Sequence, residues 1–348
     1  MRLRIAVEVW RGRVLESRHR VQAAIAGPAG EPFASTRSAD LITTFRSAAK
    51  PFQLLPLVER GHADRWEFSE EHLAVMAASH TGSAYHVALV AEILDRLGAS
   101  DRDLACGYHD PLDEQSQERL LQRPDERSPL YNNCSGKHAG MLALARSEGW
   151  PVEGYERADH PVQRLMLETV ADLSGLRPED VPTGIDGCSV PVFGTPLSSM
   201  AMAYGRLATA ADEGDERSRA LARIRRAMMN YPRATGGAQR FSTSLMEHAP
   251  QAIVAKGGAE GLECLGLPGK GLGVAVKCED GHMRAVAPAV VALLEYCGLL
   301  DPAHAAHLEM WRRPVVHNHA GLAVGELRAR VEPLEPSRHA APAHSRGR

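Results

Sequence analysis

This 348-residue chain has no apolar run long enough to cross a bilayer: the longest, residues 285–300, contains Pro288 and Glu295, whereas a spanning helix needs about 20 predominantly apolar residues. It lacks a secretory leader pattern, because Glu8, Arg11 and Arg13 interrupt the opening apolar segment. Neither sign of charge is in excess: a net charge of −3 and a pI near 6.6 leave no electrostatic footprint for nucleic acid or an anionic membrane. Cysteine is sparse, with six residues (Cys106, Cys134, Cys188, Cys264, Cys278, Cys297) scattered along the chain, which excludes a disulfide scaffold and fits a reducing compartment. No Gly-x-x-x-x-Gly-Lys-Ser/Thr phosphate loop and no internal repeat is present. These absences predict a soluble, cytoplasmic protein with a small-molecule partner and no nucleic-acid or membrane partner.

What the chain does contain is Ser47-Ala48-Ala49-Lys50, followed by Pro51-Phe52-Gln53. Residues three apart on a helix share a face, so a serine there can meet a lysine amine. Serine is a weak nucleophile unless a neighbour takes its proton, and lysine does so only when burial or a second cation lowers its pKa. Residues 3–9 alternate apolar and charged, Arg11-Gly12-Arg13 reads as a tight turn and residues 14–25 look extended, so a β-hairpin is predicted upstream. Phe52, Leu54, Leu55, Leu57 and Val58 fall on helical spacing with Gly61 as a stop. Ser47 is thus expected at the N-terminus of a buried helix, where free N–H groups favour developing negative charge.

Helical patterns follow at 69–78, 85–97, 138–147, 161–173, 198–211 and 216–229, with 104–133 irregular. Strand-like runs return at 252–255, 273–278, 283–286 and 321–331, around a glycine-rich stretch at 257–273 and a helix at 290–296. The predicted fold class is α/β of the α+β type, with an antiparallel sheet built from about 1–45 and 250–331 and a helical region over 46–249. One catalytic domain is expected over 1–331, with 332–348 as a disordered tail.

Four more segments are chemically dense: Ser79-His80-Thr81-Gly82, Tyr131-Asn132-Asn133-Cys134-Ser135-Gly136-Lys137-His138, Asp186-Gly187-Cys188 and Lys256-Gly257-Gly258-Ala259-Glu260-Gly261. Cys134 and Cys188 could complete a tetrahedral zinc site with Lys137 or His138 and water; on donor chemistry alone the histidine is the easier ligand, since a ligating lysine must be neutral. A zinc deaminase is a rival reading, but it would need His-x-Glu with Pro-Cys-x-x-Cys, whereas Cys134 is followed by Ser135, Gly136 and Lys137.

In this order, with Arg46-Ser47-Ala48-Ala49-Lys50-Pro51-Phe52-Gln53 at their head, these segments resemble the asparaginase II family of rhizobial-type L-asparaginases over about residues 6–331. The resemblance implies a fold like serine β-lactamases and DD-peptidases (penicillin-binding proteins), and a homodimer. It implies two Ser-Lys pairs, Ser47 with Lys50 and Ser79 with Lys256, and one zinc ion held by Cys134, Lys137 and Cys188. Asp186 is implied beside that site, facing the substrate, with Arg46 and His80 as further substrate contacts. Arg240-Phe241-Ser242-Thr243 departs from the pattern, carrying Ser242 where the resemblance implies an aspartate. The implied reaction is hydrolysis of L-asparagine to L-aspartate and ammonia through an acyl-enzyme, with Ser47 preferred as nucleophile because of its helix N-terminus. A glutaminase, or a β-lactamase or transpeptidase-like acyl enzyme, is the alternative; for the latter no Lys-Thr-Gly strand motif is found.

Overall fold

The computed structural model describes residues 1–334. Eleven strands are described: β1 (Arg2–Arg11), β2 (Val14–Ala26), β3 (Pro32–Thr36), β4 (Ile42–Thr44), β5 (Thr183–Ile185), β6 (Pro191–Pro196), β7 (Val254–Gly258), β8 (Leu262–Leu267), β9 (Leu272–Cys278), β10 (Val315–His317) and β11 (Ala323–Pro333). Eight of them form one sheet in the order β10-β11-β1-β3-β2-β9-β8-β7, with β1 and β2 also paired directly. The pairings are antiparallel except for a short parallel contact between β1 and β3.

The opening hairpin forms as expected. Leu3, Ile5, Val7 and Val9 are buried on one face of β1, the period-2 pattern that sets a strand's register. Gly12, at φ 55°, turns the chain so that Arg11 pairs with Val14. The predicted junction of N- and C-terminal segments also forms: β1 pairs with β11 from Leu3↔Pro333 to Arg11↔Gly325, and β2 pairs with β9. Helix Leu197–Thr209 packs on β9, β2 and β8, and helix Val286–Tyr296 packs on β11, β9 and β1. The first approach is close enough that a Cβ on Gly273 would lie 1.9 Å from the Ala201 carbonyl oxygen.

Several expectations are corrected. β8 runs through the glycine-rich stretch: Glu260 and Gly261, both left-handed, turn the chain back from β7, and all six β8 residues are buried. Residues 283–286 are not a strand. Met283–Ala285 is a 3-10 turn leading into helix Val286–Tyr296, with Pro288 in the first turn, where a missing N–H costs nothing. Within the stretch read as helical, β5 and β6 join β4 in a separate three-stranded sheet, and residues 104–133 contain helix Glu114–Gln122. Glu332 and Pro333 belong to β11, and Leu334 N–H donates to the Arg2 carbonyl at 2.9 Å; residues 335–348 of the expected tail lie outside the described residues. No helix among those described is long and apolar enough to cross a membrane.

Candidate active site

β7 ends the large sheet, and its residues lie against the 3-10 turn Arg46–Ala49 that opens helix Lys50–Glu59. Ser47 is therefore on a single tight turn and not at an α-helix N-terminus, because Pro51 fits the first turn of the α-helix, which starts only at Lys50. Lys50 does not reach back to Ser47. Its amine points across the pocket to three acceptors: the Ala78 carbonyl at 2.5 Å, Ser79 Oγ at 3.0 Å and the Asn133 carbonyl at 3.4 Å. Three acceptors match the three protons of an ammonium. Lys256 on β7 donates to the Gly257 carbonyl at 2.8 Å and lies 2.9 Å from Ser79 Oγ.

Ser79 thus stands between two lysine amines, both almost fully buried. Burial lowers the proton affinity of each. Lys256 is driven well below its usual range, because the Lys50 cation adds repulsion to desolvation. Of the two amines it is the one more easily deprotonated.

Ser47 is half-buried, and among the described residues its hydroxyl makes no hydrogen bond to another side chain. It follows Arg46, a non-glycine residue at φ 45°, a strained conformation of the kind that persists where surrounding structure enforces it. The Arg46 guanidinium pairs with Asp186 at 3.0 Å, while its Nε is buried without a partner. Asp186 and Cys188 come from the β5–β6 hairpin, whose loop closes through Asp186 N–H to the Val190 carbonyl at 2.9 Å with Ser189 left-handed at φ 75°. That hairpin lay inside the region read as helical, and it carries the second thiol to the first.

Cys134 occupies the N-cap of helix Ser135–Glu148. Its thiol is in hydrogen-bond contact with Cys188, and Lys137 Nζ lies 3.0 Å from Cys188 Sγ. The bond from Cys188, the Lys50 and Lys137 cations and the helix N-terminus favour a thiolate at Cys134; Cys188 correspondingly keeps the shared proton. Cys134 Sγ also lies 3.1 Å from Asn133 Oδ1; two sulfurs and an amine are the borderline-soft donors zinc prefers, so the donor set fits the implied ion. Of the two candidate nitrogen ligands, Lys137 is the one at the thiol. His138 Nδ1 is instead held by the Tyr155 hydroxyl at 2.6 Å.

His80, implied as a substrate contact, is fully buried and braces the pocket wall. Gly82 N–H donates to its Nδ1 at 3.2 Å, which places the ring proton on Nε2, 2.9 Å from Ser135 Oγ; Ser135 in turn donates to the Leu130 carbonyl at 2.9 Å. Asn132, to which no role was assigned from sequence, bonds the Cys106 and Gly107 carbonyls through Nδ2 and accepts from Cys134 N–H through Oδ1. Together these fix the turn that offers Asn133 O to Lys50 and Cys134 to the thiol cluster. Gly136 completes the fit, since a Cβ there would lie 2.2 Å from the Val75 carbonyl oxygen. Gly136→Ala is expected to lower stability by about 1–3 kcal/mol, as overpacking does, measured by denaturant unfolding.

Glu263 escaped the sequence reading altogether, and Ser242 was noted there only as a departure from the family pattern. Ser242 donates to Glu263 Oε1 at 2.6 Å and accepts from Gly257 N–H at 3.1 Å. Glu263 is buried on β8, opposite Gly257. Elsewhere, His19, Cys278 and Asp280 also bring metal-type ligand atoms together, but Arg284 Nε donates to His19 Nε2 at 2.9 Å and Asp280 is bonded by both partners, which makes this a closed hydrogen-bond set.

No curated protein matches this chain. Among solved structures it is similar to Mglu in its native form in the presence of 4.3 M NaCl, at 18% identity and a TM-score of 0.44 over 81% of this chain and 62% of that one. It is similar to a β-lactamase from Mycobacterium bovis at 14% identity and a TM-score of 0.41, over 80% of this chain and 94% of that one. The family model described as L-asparaginase II matches residues 7–329, an interval that includes both lysines, both serines and both pocket thiols, and the chain belongs to that family.

Proposed function

We propose that the protein hydrolyses the side-chain amide of L-asparagine to L-aspartate and ammonia through an acyl-enzyme. The observation that carries this reading is Ser79 Oγ held between Lys50 and Lys256, at 3.0 and 2.9 Å, with the two amines differing in proton affinity. Ser47, the less buried serine, attacks the amide carbon. Its proton passes by way of Ser79 Oγ, whose own proton goes to the neutral Lys256 amine, while the Lys50 ammonium, already a donor through all three protons, holds the charge that develops. Lys256 then returns the proton to the departing ammonia, and water releases aspartate by the same route in reverse.

Substrate asparagine is a zwitterion, and the Arg46–Asp186 pair offers a cation and an anion side by side. Arg46 receives the α-carboxylate and Asp186 the α-ammonium, exchanging one ion pair for two. Cys134, Cys188 and Lys137 would hold zinc, which supplies an electrophilic anchor for one end of the substrate. The enzyme is read as one catalytic domain over 1–331, cytoplasmic and homodimeric.

Ammonia release from asparagine and from glutamine, measured beside ring opening of a β-lactam followed by absorbance, tests this. Asparagine turned over fastest is the expected result, glutamine turned over fastest makes the protein a glutaminase, and release from neither sinks the amidohydrolase reading. The pH profile is a second check. Lys256 must be unprotonated to accept a proton, and because burial lowers its pKa from the ordinary lysine range, kcat/KM is expected to rise from neutral to mildly alkaline pH. An acidic optimum would point to Asp186 as the base.

A further inference from the structure

We propose that Glu263, acting through Ser242, is a positioning residue that sets how tightly Lys256 holds its proton and fixes the strand edge on which Lys256 stands. This rests on the reading of Lys256 as the proton acceptor. Glu263 is 2% exposed and among the described residues has no ion pair within 4 Å. A buried carboxyl without a salt bridge is costly unless it is hydrogen-bonded, and its one side-chain partner is Ser242.

The geometry links that bond to the pocket. Gly257 N–H donates to Ser242 Oγ, Ser242 O–H donates to Glu263 Oε1, and Lys256 Nζ donates to the Gly257 carbonyl. Gly257 is therefore gripped at its N–H by the Ser242–Glu263 unit and at its carbonyl by the lysine. The fit is tight, since a Cβ at 257 would lie 3.0 Å from Glu263 Oε2 and 3.4 Å from Ser242 Oγ, and the carboxylate would have to give way.

The charged and titratable groups around this unit are few. Lys256 faces Lys50 from helix Lys50–Glu59, Glu263 from β8, Arg240 from the segment before helix Phe241–His248, and Cys134. Glu263 faces Lys256 and Arg240, with the uncharged Tyr204 and Cys264 nearby. Burial pushes the Glu263 carboxyl up to about 7, so it ionises across neutral pH. Its negative charge then raises the proton affinity of Lys256, opposing Lys50. Glu263 thus keeps the base from being lost as a proton acceptor of too little strength.

Glu263→Gln keeps a hydrogen-bonding oxygen for Ser242 and removes the charge. The rising limb of kcat/KM is expected to move about one unit toward lower pH, with Glu263→Asp close to wild type. The ε-13C resonance of Lys256 in 13C-lysine protein, assigned by its absence in Lys256→Met, should titrate at correspondingly lower pH. A limb and resonance unmoved in Glu263→Gln would overturn the proposal. The resonance is read without turnover, so a wild-type protein inactive on asparagine would refute the amidohydrolase reading while the Lys256 titration still decides this one. If Glu263→Gln fails to fold, Ser242→Ala takes its place: losing the bond that favours the ionised carboxyl, it should shift the limb and resonance in the same direction by a smaller amount, and no shift there overturns the proposal.

Discussion

Ser47→Ala is expected to fold normally and to lose asparagine hydrolysis by a factor on the order of 10³ or more, the scale at which a nucleophile and its proton acceptor act as one unit. The side chain is half-buried and bonded to no other side chain among the described residues, so its removal leaves no buried group without a partner. Ser79→Ala is expected to fall as far, because it breaks the only hydroxyl shared by Lys50 and Lys256. Combining either change with Lys50→Met should add little. Lys50→Met also strips the buried Ala78 carbonyl of its partner, so a loss of about 1–3 kcal/mol in stability is expected with it. The decisive measurement is single-turnover kinetics with mass spectrometry of the trapped acyl group. A label on residue 79 with an active Ser47→Ala protein would make Ser79 the nucleophile, and turnover in both serine variants would end the covalent mechanism.

Purified without added metal, the protein is expected to carry about one zinc per chain, and Cys134→Ala or Cys188→Ala to carry none. Asparagine binding should weaken about 10–100-fold on metal loss, the range seen when the surroundings of a bound metal are disturbed, with a smaller effect on the chemical step. Occupancy should fall as pH drops. Zinc must displace the proton that Cys188 keeps and meet an unprotonated Lys137, whose amine the two neighbouring sulfurs hold above its usual range. Lys137→Met is expected to lower zinc affinity while leaving both thiols titratable. Elemental analysis of wild type and variants checks this, and zinc content unchanged by either cysteine substitution would leave Cys134 and Cys188 as structural thiols.

How much of this was legible in the sequence depended on whether the signal was local. The alternation in residues 3–9, the turn at Gly12 and the apolar spacing after Lys50 are each set within a dozen residues, and all three were read correctly. The site motifs were also visible, since Ser47, Lys50, Ser79, Cys134, Cys188 and Lys256 all lie in segments unusually rich in reactive side chains. The partnerships were not. Ser-x-x-Lys suggested that Lys50 serves Ser47, but the amine has three better acceptors contributed by residues 78, 79 and 133, and tertiary packing decides between them. Glu263 was invisible because one carboxylate within the apolar run Leu262-Glu263-Cys264-Leu265 looks like a surface position until the strand is known to be buried on both sides. The β5–β6 hairpin escaped because strands of three and six residues, containing Gly184, Gly194 and two prolines, carry almost no periodicity.

The pairing of β1 with β11 gives this protein a timing problem. The strand that opens the chain finds one of its neighbours only when residues 323–333 have been made, after every reactive residue of the pocket has already left the ribosome. Until then β1 presents an unpaired edge of backbone N–H and C=O groups beside the apolar face formed by Leu3, Ile5, Val7 and Val9, the kind of surface that recruits other chains. Such long-range closure is slow, and intermediates with open strand edges aggregate at ordinary concentrations. The yield of active enzyme is therefore governed by the race between the last strand's arrival and capture of the first strand by a stranger, and low temperature, which weakens apolar association, or a low concentration of chains tilts that race toward the native chain.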